Sequence, residues 1–544
     1  MSGPLLTLLN APALAAYTAA GHWGAETLYA IAARHARAAP HRFAVRDRYR
    51  RLSYAALVAA ADRLAAHLAG AGVRPGQRVA VWLPSRVETA IALLACSRNG
   101  YVCCPSLHRD HTAAEVARLA ERVQAAAVIA DAGRHELFEA LAGRDFLRWI
   151  WRVGPPEAGP FADLSGDRRE APPSGDANQI MYLPFTSGTT GTPKGVLHSD
   201  NTLLATARSM ARDWRLEGAV LYTLSPLSHN LGLGALVTAL AGGGELVVHD
   251  LPRGDSLVDR LAETGAAFLF GVPTHAIDLL AEMQARGLRR LGAVRGFRIS
   301  GAAAPAPLVA ELIRHGVVPQ SGYGMTETCS HQYTRPDDPP ERIAETCGRA
   351  CDGYEVRIWR QDNPDLEAPP GEIGEIGGRG ASLMLGYFDD QAATEAAFNA
   401  AGWFMTGDLG WLDENGYLHI TGRKKDVIIR GGRNIHPAPL EAAALRHPAV
   451  AQAAAFPVAD PRLGERVCLA LVPRGEAPDT TALLDHLTAA GVARRDLPEF
   501  ILCLAEMPLT ASGKIVKREL VRRVADGRAR PQPVHIAAPA PAKG

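Results

Sequence analysis

Residues 186–195, with the sequence TSGTTGTPKG, bring glycines, hydroxylated side chains and a lysine together in one short stretch. Gly188 and Gly191 permit a positive φ and let the backbone approach an anion closely. The hydroxyl groups add hydrogen-bond donors, and Lys194 adds a mobile positive charge. An apolar strand precedes the stretch, and Ser199 begins a Ser-Asp-Asn sequence that is typical of a helix start. The stretch is therefore predicted to bind phosphate.

The order of these residues differs from that of a P-loop. The Walker A pattern needs a Gly-Lys pair followed by Ser or Thr, four residues after the first glycine. Here Lys194 is followed by Gly195, and the Gly188–Gly191 spacing is too short. A P-loop NTPase is thus disfavoured. The density of hydroxyl groups also argues against the plain alternative, a Gly/Thr-rich turn that only connects two elements.

Other polar clusters are interpreted as structural. Residues 103–111 contain two cysteines and two histidines, and Cys347 and Cys351 are four apart, but neither cluster has the paired CxxC spacing of a structural zinc site. The arginine-rich stretches 46–51 and 289–298 are short and interrupted by apolar residues, as on a solvated face. The formal net charge is +1, which gives no bulk electrostatic reason to expect nucleic acid or an anionic membrane.

The whole chain predicts a multidomain cytoplasmic protein. A length of 544 residues is too great for one hydrophobic core. The eight scattered cysteines do not form a disulfide framework, which favours a reducing compartment. The N-terminus resembles a signal peptide only faintly, because it lacks a basic region and is interrupted by Asn10 and Pro12. No apolar run approaches the ~20 residues of a membrane span, so no membrane insertion is expected.

Alternating apolar runs and alanine-rich helical patterns fill the first 340 residues and predict an α/β fold of layered, mainly parallel sheets flanked by helices. After residue 350, hairpin-like patterns predict a β-rich subdomain, and a small α+β unit follows Arg423. Residues 529–544 are rich in Pro and Ala and are predicted to be a disordered tail. The predicted buried strands are 78–84, 126–131, 245–250, 266–271 and 296–301, and the clearest helix is 54–72.

Four further motifs follow the phosphate-binding stretch, namely QSGYGMTET (320–328), FMTGDLG (404–410), GRKKDVIIRGGRNIHP (422–437) and LTASGKIVKREL (509–520). Together with TSGTTGTPKG, and in the same order, they resemble the signatures of the adenylate-forming superfamily. This superfamily comprises acyl- and aryl-CoA synthetases, adenylation domains of peptide synthetases and luciferases. The similarity runs from Leu52 to Leu520. It implies an N-terminal adenylation domain over 1–424 and a small, mobile C-terminal domain over 425–528.

The resemblance implies a reaction that begins when a carboxylate attacks the α-phosphate of ATP, giving an acyl-adenylate and pyrophosphate. Such chemistry depends on positioning and charge neutralisation. The loop 186–195 would embrace the β- and γ-phosphates, and Glu327 would bind Mg²⁺, a hard cation that prefers carboxylate oxygen. Thr326 would hydrogen-bond the α-phosphate. Tyr323 would pack on adenine beside Gly301.

Further roles follow from the later motifs. Asp408 would accept hydrogen bonds from the two ribose hydroxyls, and Arg423 would contact the same ribose or the phosphate. Lys514 would be a mobile catalytic lysine that neutralises charge as it accumulates in the transition state. The C-terminal domain would swing about Lys425 between the two half-reactions. In the second pose, residues 431–432 would let a pantetheine arm pass, and its thiol would attack the acyl-adenylate.

The full set of implied site residues is larger. Catalytic roles are implied for Lys194, Thr326, Glu327 and Lys514. Contacts with ATP or CoA are implied for Thr186, Ser187, Gly188, Thr189, Thr190, Gly191, Gly301, Ala302, Ala303, Gly322, Tyr323, Gly324, Met325, Asp408, Ile420, Arg423, Gly431 and Gly432.

The acid substrate is expected to lie near residues 226–236, PLSHNLGLGAL, where the family carries a motif that lines the acyl pocket. His229 would shape this pocket, and Gly234 would leave it room. Asn230 resembles the asparagine of stand-alone aryl acid ligases, where the amide meets a ring hydroxyl, although an asparagine can equally cap a turn. Small residues here and at 301–304 favour a hydrophobic or cyclic acid.

Three functional hypotheses remain. The first is a CoA ligase, which the GGRNIHP sequence at 431–437 favours, acting as a monomer or homodimer on a carboxylic acid, ATP and CoA. The second is a stand-alone adenylating enzyme that loads the phosphopantetheine of an acyl carrier protein. The third is a non-enzymatic adenylate-binding sensor or scaffold. Such a protein should have lost Lys514, Glu327 or the phosphate loop, and all three are present.

Overall fold

The computed structural model describes residue 9 and residues 11–106, 111–156, 167–186, 193–301, 304–509 and 515–534. The chain divides into two compact units. The first unit contains Met1–Val356 and Gly378–Phe404, and the second contains Arg357–Gly377 and Met405–Gly544. The expected functional boundary between residues 424 and 425 stays a prediction.

The helices within the described ranges are α1 (Ala11–Ala19), α2 (Leu28–Ala38), α3 (Tyr54–Gly70), α4 (Val87–Asn99), α5 (Ala113–Arg122), α6 (His135–Leu141), α7 (Asp200–Asp213), α8 (Asn230–Gly242), α9 (Leu257–Thr264), α10 (Pro273–Ala285), α11 (Ala306–Arg314), α12 (Pro340–Glu345), α13 (Gln391–Ala396), α14 (Pro437–Leu445), α15 (Thr480–Ala489) and α16 (Lys517–Ala525). None of these helices is both long enough and apolar enough to cross a membrane.

The strands are β1 (Phe43–Arg46), β2 (Arg51–Ser53), β3 (Arg78–Trp82), β4 (Val102–Pro105), β5 (Ala127–Asp131), β6 (Trp149–Val153), β7 (Ile180–Tyr182), β8 (Phe185–Thr186), β9 (Lys194–Ser199), β10 (Val220–Thr223), β11 (Glu245–Val248), β12 (Phe268–Gly271), β13 (Gly296–Ile299), β14 (Val318–Met325), β15 (Cys329–Tyr333), β16 (Arg349–Ala350), β17 (Tyr354–Trp359), β18 (Gly374–Gly380), β19 (Gly386–Tyr387), β20 (Phe404–Leu412), β21 (Leu418–Arg423), β22 (Ile428–Arg430), β23 (Arg433–Ile435), β24 (Val450–Asp460), β25 (Gly464–Pro473), β26 (Phe500–Cys503) and β27 (Gln532–Pro533).

Two large sheets form the first unit. One has the strand order β16-β15-β14-β13-β12-β10-β11-β1-β2 and is parallel from β14 to β1, with antiparallel strands at both edges. The other has the order β19-β9-β7-β4-β3-β5-β6, with β8 beside β9, and is parallel from β7 to β6. Their strands are buried on both faces, which explains why they appear in the sequence as continuous apolar runs. The predicted α/β class and its five buried strands are confirmed.

The second unit is smaller and more β-rich. It contains most of the four-stranded sheet β17-β18-β20-β21 and all of the six-stranded sheet β23-β22-β25-β26-β27, in which β24 also pairs with β25. Helices α14 and α15 contribute buried leucines to the core of the six-stranded sheet. Gln532–Pro533 pairs with β26, so ordered structure continues beyond the predicted end of the domain at residue 528. Of the predicted tail 529–544, residues 535–544 lie outside the described part of the chain.

Candidate active site

The two ends of the phosphate-binding stretch are held together by strand pairing. Thr186 ends β8 and Lys194 begins β9, and the two residues are paired across the antiparallel strands. A hydrogen bond from Thr186 Oγ1 to the Lys194 carbonyl oxygen, 3.4 Å long, joins them as well. Several predicted site residues lie outside the described residues, namely Ser187, Gly188, Thr189, Thr190, Gly191, Ala302, Ala303 and Lys514.

Lys194 and Glu327 are brought together by a tyrosine. The Lys194 ammonium lies 4.5 Å from the centre of the Tyr387 ring, a cation–π contact. The Tyr387 hydroxyl donates a 3.0 Å hydrogen bond to the Glu327 carboxylate. Burial, followed by the Glu327 charge, raises the pKa of Tyr387, so its hydroxyl stays protonated and remains a donor. The predicted lysine and carboxylate are therefore two ends of one three-residue arrangement.

Glu327 has the chemistry expected of a Mg²⁺ ligand. Its carboxylate is mostly buried, and Tyr387 orients one of its two oxygens. Mg²⁺ typically binds one or two carboxylates and completes its shell with phosphate oxygens and water. Within the described residues, no group of three or more His, Cys, Asp and Glu side chains is placed to hold a metal ion. A single oriented carboxylate such as that of Glu327 is the kind of protein ligand that Mg²⁺ takes when phosphate and water complete its shell.

The turn that carries Thr326 and Glu327 is anchored by backbone contacts. The Thr326 carbonyl oxygen lies 2.7 Å from His198 Nε2, and the Glu327 carbonyl oxygen accepts a 2.7 Å hydrogen bond from Met384 N. A carbonyl oxygen can only accept, so Nε2 of His198 carries the proton. Burial lowers the pKa of His198 to about 4, which keeps this ring neutral. The side chains of Thr326 and Glu327 are therefore displayed from a fixed turn.

His198 is in turn fixed by the start of α7. Its Nδ1 lies 3.0 Å from Thr202 Oγ1. Ser199 and Thr202 form the capping box that begins α7, with a hydrogen bond from Ser199 N to Thr202 Oγ1 of 2.9 Å and one from Thr202 N to Ser199 Oγ of 3.2 Å. The helix start predicted at Ser199 thus also positions the turn at Thr326.

Of the residues expected around adenine, Tyr323 and Gly324 lie on β14, and Gly301 follows the end of β13. Tyr323 is almost fully buried, and its ring makes an edge-on contact with His331 at 5.5 Å. A Cβ at Gly324 would lie 1.9 Å from the Cys329 carbonyl oxygen, so only glycine fits this position. Gly301 adopts φ +91°, which favours glycine. These are local requirements of the fold, and the adenine contacts stay a prediction.

An apolar crevice lies between α7, α8 and the nine-stranded sheet. Asn230 and Gly234 line it together with Leu203, Thr206, Ala207, Met210, Leu233, Val237, Thr238, Phe270, Cys329 and Ser330. The Asn230 amide nitrogen donates a 3.1 Å hydrogen bond to the Met325 carbonyl oxygen, which leaves its own carbonyl oxygen as an acceptor. His229 is the N-cap of α8, and its Nδ1 accepts a hydrogen bond from Leu231 N.

In the second unit, the residues expected at the ribose meet across one hairpin. Asp408 on β20 pairs with Arg423 on β21, and the Arg423 Nε lies 3.3 Å from Asp408 Oδ1. Nearby, Glu375 accepts hydrogen bonds from Gly407 N at 3.2 Å and from Lys424 Nζ at 2.8 Å. Ile420, on the same hairpin, is exposed. The hairpin thus carries a carboxylate, a guanidinium and an apolar side chain.

Lys425 lies in a single 3₁₀ turn, Lys424–Asp426, between β21 and β22. Burial, and next to it the charge of Arg423, lowers the pKa of Lys425. Gly431 and Gly432 form the two-residue turn between β22 and β23, with φ values of +58° and +78°. Such a turn requires positive φ at both positions, so the fold alone explains both glycines.

Two residues of the site escape prediction from the sequence. Tyr387 is 60 residues away from Glu327 in the chain, and no local spacing links the two. His198 lies four residues after Lys194, but it stands in a continuous run of buried residues along β9, so it looks like an ordinary core position. Only the fold brings either residue to the turn that carries Thr326 and Glu327. The sequence offers one signal for His198, namely that this histidine directly precedes the capping serine Ser199.

Comparison with known proteins identifies the family. The model of the AMP-binding enzyme family matches residues 32–388, and that of the AMP-binding enzyme C-terminal domain matches residues 439–514. The medium-chain fatty-acid–CoA ligase of Escherichia coli (strain K12) is 32% identical over 539 residues, 94% of this chain and 93% of that protein. The salicyl-AMP ligase/salicyl-S-ArCP synthetase of Mycobacterium tuberculosis is 34% identical over 548 residues, 94% of this chain and 93% of that protein.

Solved structures give the same result. ATP-bound MatB from Rhodopseudomonas palustris matches with a TM-score of 0.82 at 28% identity, covering 92% of this chain and 99% of that one. The o-succinylbenzoate CoA synthetase of Bacillus subtilis, in complex with its acyl-adenylate intermediate, matches with a TM-score of 0.80 at 27% identity, covering 91% and 98%. The chain therefore belongs to the AMP-binding enzymes, within the adenylate-forming superfamily of acyl- and aryl-CoA synthetases, and is an AMP-forming acid–thiol ligase.

Proposed function

We propose that this enzyme activates a hydrophobic or cyclic carboxylic acid with ATP and transfers the acyl group to the thiol of CoA. The supporting observation is the bond from Asn230 to the Met325 carbonyl oxygen, which joins the apolar crevice to the turn bearing Thr326 and Glu327. A carboxylic acid whose apolar body occupies this crevice would have its carboxylate directed toward that turn. The acid would then be bound in the crevice and its carboxylate activated at the adjacent turn.

In this proposal, the residues of the first unit neutralise the triphosphate. Lys194 contributes a positive charge toward the β- and γ-phosphates, and the Thr326 hydroxyl donates to the α-phosphate. Glu327 holds Mg²⁺, which supplies further positive charge to the phosphate oxygens when it is bound. Tyr387 keeps the Glu327 carboxylate oriented, and His198 keeps the turn fixed. These interactions act on charge that develops at the phosphates, as electrostatic catalysis requires.

Residues of the second unit are assigned complementary roles. Asp408 and Arg423 bind the ribose, and Ile420 contacts the base. Lys514 neutralises charge between the acid carboxylate and the α-phosphate during adenylation. Lys425 is the hinge that exchanges this arrangement for the thiol-transfer arrangement, in which residues 431–432 admit the pantetheine arm.

A second candidate acceptor is the phosphopantetheine of a carrier protein. Asn230 favours it, because the acceptor oxygen of that amide suits a ring hydroxyl, and the salicyl-AMP ligase relative is also named a salicyl-S-ArCP synthetase. The GGRNIHP sequence at 431–437 favours CoA, and the medium-chain fatty-acid relative is a CoA ligase. The CoA reaction is the one proposed.

One assay separates the two acceptors. The purified enzyme is incubated with ATP, Mg²⁺ and a mixed panel of aliphatic, alicyclic, benzoic and salicylic acids, with either CoA or a phosphopantetheinylated aryl carrier protein. Mass spectrometry then identifies the thioester and the AMP released. An acyl-CoA product is the expected result. If only the carrier protein discharges the acyl-adenylate, the CoA proposal is wrong and the phosphopantetheine of a carrier protein is the acceptor.

A further inference from the structure

A buried guanidinium without a counterion lies beside the crevice. Arg298 is fully buried, and its Nη1 donates a 2.5 Å hydrogen bond to Gln320 Oε1. Its guanidinium carbon lies 5.8 Å from the centre of the Tyr333 ring. Throughout the described part of the chain, Arg298 Nε and Nη2 find no acceptor, and no aspartate or glutamate is among the charges that act on Arg298.

Strand register places Arg298 beside a residue that lines the crevice. Phe270 on β12 pairs with Arg298 on β13, which pairs with Gln320 on β14. Paired residues share one face of a sheet, and Phe270 lines the crevice. Arg298 therefore lies on the same sheet face as Phe270, one strand away from that lining residue, and is itself enclosed by protein.

A glycine makes room for this side chain. A Cβ at position 322 would lie 2.7 Å from both Nη1 and Nη2 of Arg298. The guanidinium thus lies against the bare backbone of Gly322, and any larger residue there would displace it. The nucleotide contact expected of Gly322 stays a prediction.

The two nitrogens without acceptors are the adjacent pair on one edge of the guanidinium. Nε–H and Nη2–H point in the same direction, so one carboxylate can bind both with two parallel hydrogen bonds. Burial lowers the pKa of Arg298 only to about 10, so the group stays charged at neutral pH. A buried charge is normally paired, because its desolvation is otherwise uncompensated. One carboxylate, or another anionic group with two oxygens, has the size and shape to accept both hydrogen bonds.

We propose that Arg298 binds a second anionic oxygen group of the acid substrate, remote from the carboxylate that is adenylated. This inference rests on the proposed function and narrows its substrate class. The substrate is a hydrophobic or cyclic acid that carries a second carboxylate. Its apolar body lies along Leu233, Val237 and Phe270, and its second carboxylate meets the Nε–Nη2 edge of Arg298.

The test compares acids in matched pairs that differ by one carboxylate, for example benzoate with isophthalate and terephthalate, and cyclohexanecarboxylate with its dicarboxylates. The wild-type enzyme is expected to use the best diacid at least about 100-fold more efficiently (kcat/KM for AMP release) than its monoacid, as for other buried polar recognition groups. Arg298→Gln should abolish this preference by slowing the diacid alone. Arg295→Gln should preserve it; Arg295 directly precedes β13, and its guanidinium donates to the backbone carbonyl oxygens of Trp214 and Arg215.

Thermal denaturation provides a readout that does not depend on turnover. The diacid should raise the Tm of the wild type and leave that of Arg298→Gln unchanged. Without ligand, the variant should be at least as stable as the wild type, since an unpaired buried charge has been removed. A wild-type preference for monoacids, equal losses on both acids in Arg298→Gln, or diacid-induced Tm shifts that persist in the variant would each overturn the inference. If no acid at all yields AMP, the proposed function fails, while the Tm comparison still decides the role of Arg298.

Discussion

Tyr387 contacts both Lys194 and Glu327 at the candidate site. Its ring supports the Lys194 ammonium, and its hydroxyl donates to the Glu327 carboxylate. The two contacts use different parts of the side chain, so substitution can separate them. Phenylalanine preserves the ring and removes only the hydrogen bond. Removing the hydroxyl therefore tests how far orientation of the Glu327 carboxylate contributes to catalysis.

We expect Tyr387→Phe to lower kcat for adenylation about 10- to 100-fold, since a hydrogen bond to a charged group is worth about 1.5–3 kcal/mol. The Mg²⁺ concentration needed for half-maximal rate should rise as well. ATP–pyrophosphate exchange at a series of Mg²⁺ concentrations measures both quantities. The control is Tyr29→Phe, which removes a similar bond to Asp62 and should leave the Mg²⁺ dependence unchanged. Identical Mg²⁺ dependence in both variants would contradict the orienting role.

At the scale of elements, the 3₁₀ turn Lys424–Asp426 is a short connection between two differently anchored strands. Before it, Arg423 is tied to Asp408 across the β20–β21 hairpin. After it, Ile428 is fully buried in the core of the six-stranded sheet. A change of backbone angles at Lys425 would therefore reorient everything that follows and leave the β20–β21 hairpin intact. This is the property expected of a hinge.

Proline at the proposed hinge residue, Lys425, should separate the two half-reactions. Because proline fixes φ near −65°, Lys425→Pro is expected to restrict the rotation and to slow thioester formation at least about 10-fold, while adenylation stays within about two-fold of wild type. Single-turnover measurements of acyl-adenylate formation and of its discharge by CoA follow each step. Lys425→Ala, which retains backbone freedom, is the matched control. A normal rate of thioester formation in the proline variant would show that the hinge lies elsewhere.

At the scale of the molecule, buried ionisable groups connect stability to pH. Burial raises the pKa of Asp200 to about 7, although its carboxylate accepts hydrogen bonds from Leu28 N at 2.8 Å and Ser97 Oγ at 2.9 Å. In the unfolded chain the carboxyl has its ordinary pKa of 3.8, so the folded state binds more protons between these values. The contribution of Asp200 to stability is complete below pH 4 and is lost as the pH rises through 7.

Asp200→Asn should remove this pH dependence, because the amide cannot ionise. Relative to wild type, the variant should gain stability between pH 5 and pH 8, by at most about 4 kcal/mol for a shift of about three pKa units. Denaturant unfolding of both proteins across this range gives the difference directly. His198, whose pKa is lowered to about 4, destabilises the fold below pH 6.5 and is common to both proteins. A stability difference that does not vary with pH would exclude ionisation of Asp200 as the cause.

The sequence predicted the local elements well and the long-range contacts poorly. Buried parallel strands such as Gly296–Ile299 are continuous apolar runs, and Ser199 has the composition of a helix cap, so both can be identified locally. The hydrogen bond between Tyr387 and Glu327 depends on how β19 and the turn between β14 and β15 are placed in two different sheets, which no spacing in the sequence encodes. Arg298 looked like part of a solvated arginine-rich stretch, and only its fully buried position in the sheet corrects that interpretation.

Helix α7 contacts both the crevice and the turn that carries Thr326 and Glu327. Its first turn fixes His198 and, through it, the Thr326 carbonyl oxygen, while Leu203, Thr206, Ala207 and Met210 further along the helix line the crevice. Under the proposed function, recognition of the acid and activation of its carboxylate would therefore depend on one helix. By reciprocity, an acid that favours the position of α7 required for activation would tighten ATP binding, and ATP would tighten binding of that acid by the same factor. An acid that fits poorly would then bind less and also react more slowly once bound, which would increase selectivity without a separate proofreading step.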